Sequence, residues 1–92
     1  MQDNENLLED FLFIKVVPAG TKEVIELNEY NRSLKFKEIL FPIFKKYKIK
    51  KRDAFLTTED GKMLSPLYYS QDTNSVVNKF GNVLKLYNEK QI

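Results

Sequence analysis

Apolar and polar positions follow two different periods along this chain, and the first is that of β-strands. Phe11–Val17 and Glu23–Leu27 are dense in β-branched and aromatic side chains, which strands favour. Pro18 and Gly20 lie between them and are typical turn residues. The pattern therefore predicts two antiparallel strands joined by a short turn.

The second period is helical. Asn31 or Ser33 can cap a helix, and after Ser33 apolar side chains recur every three or four positions. They are those of Phe36, Ile39, Leu40, Ile43, Phe44 and Tyr47. The spacing predicts a helix from Ser33 to about Lys46 with one face packed on the sheet. Pro42 has no N–H to donate to Glu38, so we expect a bend within a single helix.

The last third of the chain predicts a hairpin and one more strand. Phe55–Thr58 and Lys62–Leu64 flank a turn ending in Gly61, where glycine supplies positive φ at low cost. Residues 72–81 favour a short helix, and Val83–Tyr87 has the composition of a final strand. The elements together predict an α+β fold, a mixed sheet packed on one main α-helix in the order of a ubiquitin-like β-grasp.

A chain of 92 residues suffices for one domain. We expect residues 11–88 to form it, as a monomer. Residues 1–10 are expected to be a disordered acidic N-terminal tail that begins a larger protein. Residues 89–92 are expected to be an extension toward the rest of that protein.

The composition argues against catalysis. The chain has no Cys and no His, so it lacks a thiol nucleophile, the commonest general base and the commonest zinc ligand. Its Asp and Glu residues show no paired acid–base pattern. We therefore predict no enzyme activity, no cofactor and no metal. There is neither an apolar run near the ~20 residues of a membrane span nor a signal peptide, so we expect a cytoplasmic protein.

Charge is distributed unevenly. Residues 1–10 carry four acids and no base, whereas residues 11–92 hold all fifteen bases against nine acids. Six bases fall within eight residues: Lys45, Lys46, Lys48, Lys50, Lys51 and Arg52. Such a cluster suits an anionic partner, and phosphoinositide-containing membrane is the first candidate, by which the protein would be recruited to the membrane or cell cortex. An acidic protein face is another, and a solvated helix end that complements the helix dipole is the alternative without function. Nucleic acid is disfavoured because the nearby aromatic residues follow the core period.

Several stretches resemble the Ras-binding branch of the ubiquitin superfamily, whose modules open some formins and engulfment-and-motility adaptors. They are Phe13–Pro18, Glu23–Leu27, the predicted helix, Asp53–Lys62 and Asp72–Tyr87. The resemblance covers roughly residues 12–88 and implies a β-grasp module that binds a small GTPase of the Ras or Rho class in a cytoskeletal signalling protein. The second strand of such a module is often an exposed edge that accepts a partner's strand.

In that family, bases on the first two strands and the first helix contact the acidic switch region of the GTPase. The resemblance implies this role for Lys15 and Lys22 on the strands, with Lys35 and Lys37 at the helix start. The chain departs from the pattern at mid-helix, where Pro42 stands at a position usually held by a base. GTPase binding and membrane recruitment thus remain two hypotheses, and a domain that binds a segment of its own parent chain is a third.

Overall fold

The computed structural model describes residues 10–17 and 19–89, and four strands there form one sheet in the order β2-β1-β4-β3. The strands are β1 (Phe11–Val17), β2 (Thr21–Glu26), β3 (Ala54–Thr58) and β4 (Val83–Asn88). β1 is antiparallel to β2 and parallel to β4, and β3 is antiparallel to β4. The α+β fold with a mixed, β-grasp-like sheet is confirmed, with the first and last strands as central neighbours.

Within residues 10–17 and 19–89, three α-helices and two 3-10 helices accompany the sheet. They are α1 (Glu29–Ser33), α2 (Phe36–Lys46), the 3-10 helices Lys51–Asp53 and Pro66–Ser70, and α3 (Thr73–Phe80). The predicted short helix within residues 72–81 is confirmed as α3. The Asp72 side chain caps its start by accepting from the Ser75 N–H at 2.9 Å, and Gly81 ends it at φ +90°.

The predicted start of the main helix at Ser33 was wrong. The Asn28 side chain accepts a hydrogen bond of 2.7 Å from the Asn31 N–H and caps α1, so Ser33 ends one helix and starts none. Lys35 stays extended, and its N–H donates to the Glu38 carboxylate at 3.0 Å. The main helix α2 therefore begins at Phe36, and it continues through Pro42 as one helix, as predicted.

The second arm of the predicted hairpin is not a regular strand. Thr57 pairs with Met63 only as an isolated bridge. The Thr58 N–H donates to the Lys62 carbonyl at 2.7 Å, and the Leu64 N–H donates to the Leu56 carbonyl at 2.9 Å. The turn between them has Gly61 at φ +94°, as predicted. This segment covers the β3 edge of the sheet, which leaves β2 as the other terminal strand.

The core lies between α2 and one face of the sheet. Its most deeply buried side chains are Leu12, Ile14, Phe36, Leu40, Leu56, Leu64, Val76, Leu84 and Leu86. The strand members alternate with outward residues, as the pleat requires. The Phe36 ring meets that of Tyr69 edge to face, with centroids 6.4 Å apart, and so joins α2 to the second 3-10 helix.

Asp10 is the first described residue, and its carbonyl accepts a hydrogen bond of 2.7 Å from the Leu27 N–H. Most of the predicted acidic tail, residues 1–9, lies outside the described residues, as do residues 90–92 of the predicted extension. Among residues 10–17 and 19–89, the helices are too short and too polar to cross a bilayer.

Candidate binding surfaces

The six clustered bases are all exposed at the end of α2 and in the segment after it. Lys48 adopts a left-handed conformation at φ +57°, and the chain then turns so that the Ile49 N–H donates to the Phe44 carbonyl at 2.8 Å. Ile49 is buried as a result. One buried apolar side chain thus anchors the segment while the bases on both sides of it face water.

Lys46 differs from the other five because it is tied to the sheet. Its Nζ lies 2.9 Å from a carboxylate oxygen of Glu23 in β2, and the Tyr47 hydroxyl donates to the same oxygen at 2.6 Å. The Thr21 hydroxyl donates in turn to Tyr47 at 2.7 Å. These contacts lower the pKa of Glu23, chiefly through Tyr47, and raise the pKa of Lys46.

Three of the bases line a groove between the two 3-10 helices. The groove has a volume of about 700 Å³, and its lining comprises Lys50, Lys51, Arg52, Ala54, Pro66 and Tyr69. The Lys51 Nζ also lies 5.1 Å from the centroid of the Phe41 ring, which holds this base at the helix side of the groove. We call this feature the basic groove.

An exposed leucine lies beside the basic groove. Leu67 follows Pro66 and is 81% exposed, although leucine is normally among the buried residues. The Ser65 hydroxyl accepts from the Leu67 N–H at 3.2 Å and caps the 3-10 helix that carries it. Sequence reasoning did not single out Leu67. The signal was an apolar residue directly after a Ser-Pro helix start.

Tyr69 closes the groove from below. It is 5% exposed, and its hydroxyl has no hydrogen-bond partner among the described residues. Burial raises the pKa of this phenol. Burial of a hydroxyl without a hydrogen-bond partner lowers the stability of the folded state. The Tyr69 hydroxyl in the lining of the groove is therefore not explained by stability alone.

Two of the four lysines assigned to GTPase binding come together. Lys15 and Lys22 lie directly opposite one another in the β1–β2 pairing, on the sheet face away from α2, and both are exposed. Lys85 in β4 pairs with Lys15 from the other side. Sequence reasoning missed Lys85, although its outward position follows from the alternation within Val83–Tyr87.

The other two lysines lie elsewhere. Lys35 precedes α2 and is exposed, whereas Lys37 is half-buried. Lys37 is four residues before Phe41 and so shares the side of α2 that Lys51 approaches. Lys46 is nine residues after Lys37 and, at 3.6 residues per turn, half a turn out of phase with it. Since Lys46 reaches β2, Lys37 lies on the side of α2 away from that strand, and the four lysines do not form one patch.

No protein-family model matches this chain, and no curated protein is significantly similar to it in sequence. Within the part of the chain that the structure describes, no group of three His, Cys, Asp or Glu side chains is placed to hold a metal ion. A function for this domain must therefore be inferred from the geometry of its own surfaces.

Proposed function

We propose that this domain is a noncatalytic recognition module of a larger signalling or cytoskeletal protein, and that it docks on anionic membrane through phosphate-bearing lipid headgroups. One observation carries the proposal: Lys50, Lys51 and Arg52 line a single groove beside the exposed Leu67. Cations beside a protruding apolar side chain suit a surface where charged headgroups cover hydrocarbon.

The expected strength follows from these groups. Each base near an anionic leaflet contributes about 1 kcal/mol, so three contribute about 3 kcal/mol, or roughly a hundredfold in affinity. Burial of a leucine side chain adds about 1.5–3 kcal/mol when it is complete. Neither contribution alone anchors a protein, and the sum gives reversible binding that weakens as salt rises.

Vesicle sedimentation tests the proposal. The wild-type domain should bind phosphatidylcholine vesicles that contain phosphatidylinositol bisphosphate and should ignore pure phosphatidylcholine. The triple variant Lys50→Gln, Lys51→Gln, Arg52→Gln should lose most of this binding. The control Lys35→Gln, Lys62→Gln, Lys79→Gln removes the same charge outside the six clustered bases and should retain most of it. Equal losses in the two variants would show that only net charge matters and would refute the groove.

A small GTPase at the β2 edge is the second candidate, and one observation favours it. Glu23 and Glu26 would both repel an acidic switch region, yet the Glu23 carboxylate is already held by Lys46 and Tyr47. Lys15 and Lys22 remain as exposed cations beside a terminal strand, which a partner strand could extend.

Titration with small GTPases of the Ras and Rho classes tests this candidate. Binding should require the triphosphate form and should be lost on Lys22→Glu. Affinity that is the same for the diphosphate form, or unchanged by that substitution, would count against an effector role.

A further inference from the structure

Three lysines form a row across the outer face of the sheet, the face away from α2. Lys22 in β2 pairs with Lys15 in β1, and Lys15 pairs with Lys85 in β4. Neighbouring strands lie about 4.8 Å apart, so the three Cα atoms span only about 10 Å. We call these residues the lysine row.

Apolar side chains flank the lysine row on both sides. Two residues along the strands in one direction are Val24, Phe13 and Val83. Two residues along in the other direction are Val17, Tyr87 and Phe55. Val24 is 52% exposed, and the Phe55 and Tyr87 rings stack with centroids 5.0 Å apart. The outer face is thus a basic stripe between two apolar stripes.

The domain does little to neutralise this stripe. The only carboxylate in ion-pair range among the described residues is that of Glu59, 3.9 Å from Lys15. The Lys22 Nζ lies 5.2 Å from the Phe13 ring centroid, a contact that leaves its charge in place. Like charges directly opposite on neighbouring strands destabilise a sheet. The row therefore costs stability in the free domain, and a partner that brings carboxylates would remove that cost.

We propose that the outer face docks an acidic amphipathic helix of a partner protein, lying across the strands along the lysine row. One helical turn rises about 5.4 Å, close to the strand spacing, so one carboxylate per turn can meet each lysine. The flanking apolar stripes lie about 7 Å to either side, within reach of apolar residues next to the acidic positions. An extended strand places same-face side chains about 6.8 Å apart and matches the row less well.

A second copy of this chain is a poor occupant of the face, because it would bring two lysine rows together. The proposed helix-docking site is also separate from the basic groove of the membrane proposal. Lys85, Tyr87 and Phe55 line neither the basic groove nor the β2 edge.

The test uses the whole chain and two synthetic helical peptides of equal composition. One carries Glu once per turn along a single stripe with Leu on both sides, and its isomer carries the same Glu residues on the opposite face. Amide chemical shifts report where each peptide binds. The first peptide should shift residues around Lys15, Lys22 and Lys85, and its affinity should fall about tenfold or more on Lys85→Thr, since each close charge pair carries a sizeable coupling energy. Lys79→Thr removes the same charge elsewhere and should leave it unchanged.

Urea denaturation of the variant shows whether a loss of binding is caused by unfolding. Lys85→Thr removes a like-charged neighbour of Lys15 and introduces a strand former, so the variant should be at least as stable to urea as wild type. Equal binding of the two peptides would overturn the proposal, as would shifts that map to the basic groove. Binding that appears only after deletion of residues 1–9, with their three acids, would overturn it too, because the occupant would then be the chain's own acidic segment.

Discussion

Lys46 and Glu23 form a 2.9 Å ion pair that joins the end of α2 to the terminal strand β2. It removes one cation from the basic cluster and one repulsive carboxylate from the sheet edge. The five other clustered bases have no such ion pair among the described residues, and three of them line the basic groove.

Acid should destabilise the domain through Glu23. Its folded pKa is lowered from 4.5 by hydrogen bonds from Tyr47 and then Lys46, so the unfolded chain takes up the proton first as pH falls. The stability that these bonds supply is therefore complete above pH 4.5 and is lost as pH falls through the lower, folded pKa. Asp60 and Asp72, whose pKa values are also lowered, act in the same direction.

Urea midpoints between pH 7 and pH 2 measure this loss of stability in acid, and the loss should be smaller in Glu23→Gln. An unchanged pH profile in that variant would contradict the assignment.

Tyr69→Phe should leave stability unchanged or raise it by up to about 1–2 kcal/mol, because the hydroxyl is buried without a partner. The variant should also be less sensitive to alkali. The folded pKa of Tyr69 is raised above 10.0, so the unfolded chain loses this proton first and wild-type stability falls above that pH. Chemical denaturation at pH 7 and pH 11 measures both effects. A loss of stability at pH 7 in Tyr69→Phe would mean that the hydroxyl has a partner.

Gly81→Ala should cost about 1–3 kcal/mol. Gly81 ends α3 at φ +90° and ψ 178°, a region that essentially only glycine occupies. A Cβ there would meet no atom within 4 Å, so the cost comes from backbone strain alone. The matched control is Lys79→Ala, in the last turn of the same helix, which should change stability by less than about 0.5 kcal/mol. Equal effects of the two substitutions would contradict the glycine argument.

Phe36→Ala should cost about 3–5 kcal/mol, because this side chain is 0% exposed and packs against Tyr69. Val24→Ala, at a site that is 52% exposed on the outer face, should cost far less. Urea denaturation of the two variants measures the contrast. A large loss from Val24→Ala would mean that the outer face is covered in the folded protein.

The strands could be predicted because alternation and turn residues are sequence patterns that span only a few neighbouring positions. The alternation of Phe11–Val17 and the turn at Gly61 are examples. The start of α2 was missed because Asn28, five residues before Ser33, caps a separate helix. A cap depends on which of several suitable side chains reaches a free N–H, and the sequence around Ser33 offers more than one.

The candidate surfaces were only partly predictable. The cluster from Lys45 to Arg52 is contiguous in sequence, so its exposure followed from charge alone. Lys15 and Lys85 are seventy positions apart and meet only through the parallel pairing of β1 and β4. The groove likewise depends on how the segment at Pro66 packs beside Lys51. Neither arrangement has a local signal.

Docking of the basic groove on membrane can be measured by paramagnetic broadening of the backbone amide signals with spin-labelled lipid in phosphoinositide-containing nanodiscs. We expect the strongest broadening at Lys50–Arg52 and at Leu67, with little at Lys22 and Lys85. Broadening centred on β2 or on the outer sheet face, with the signal of Leu67 unaffected, would refute docking through the groove.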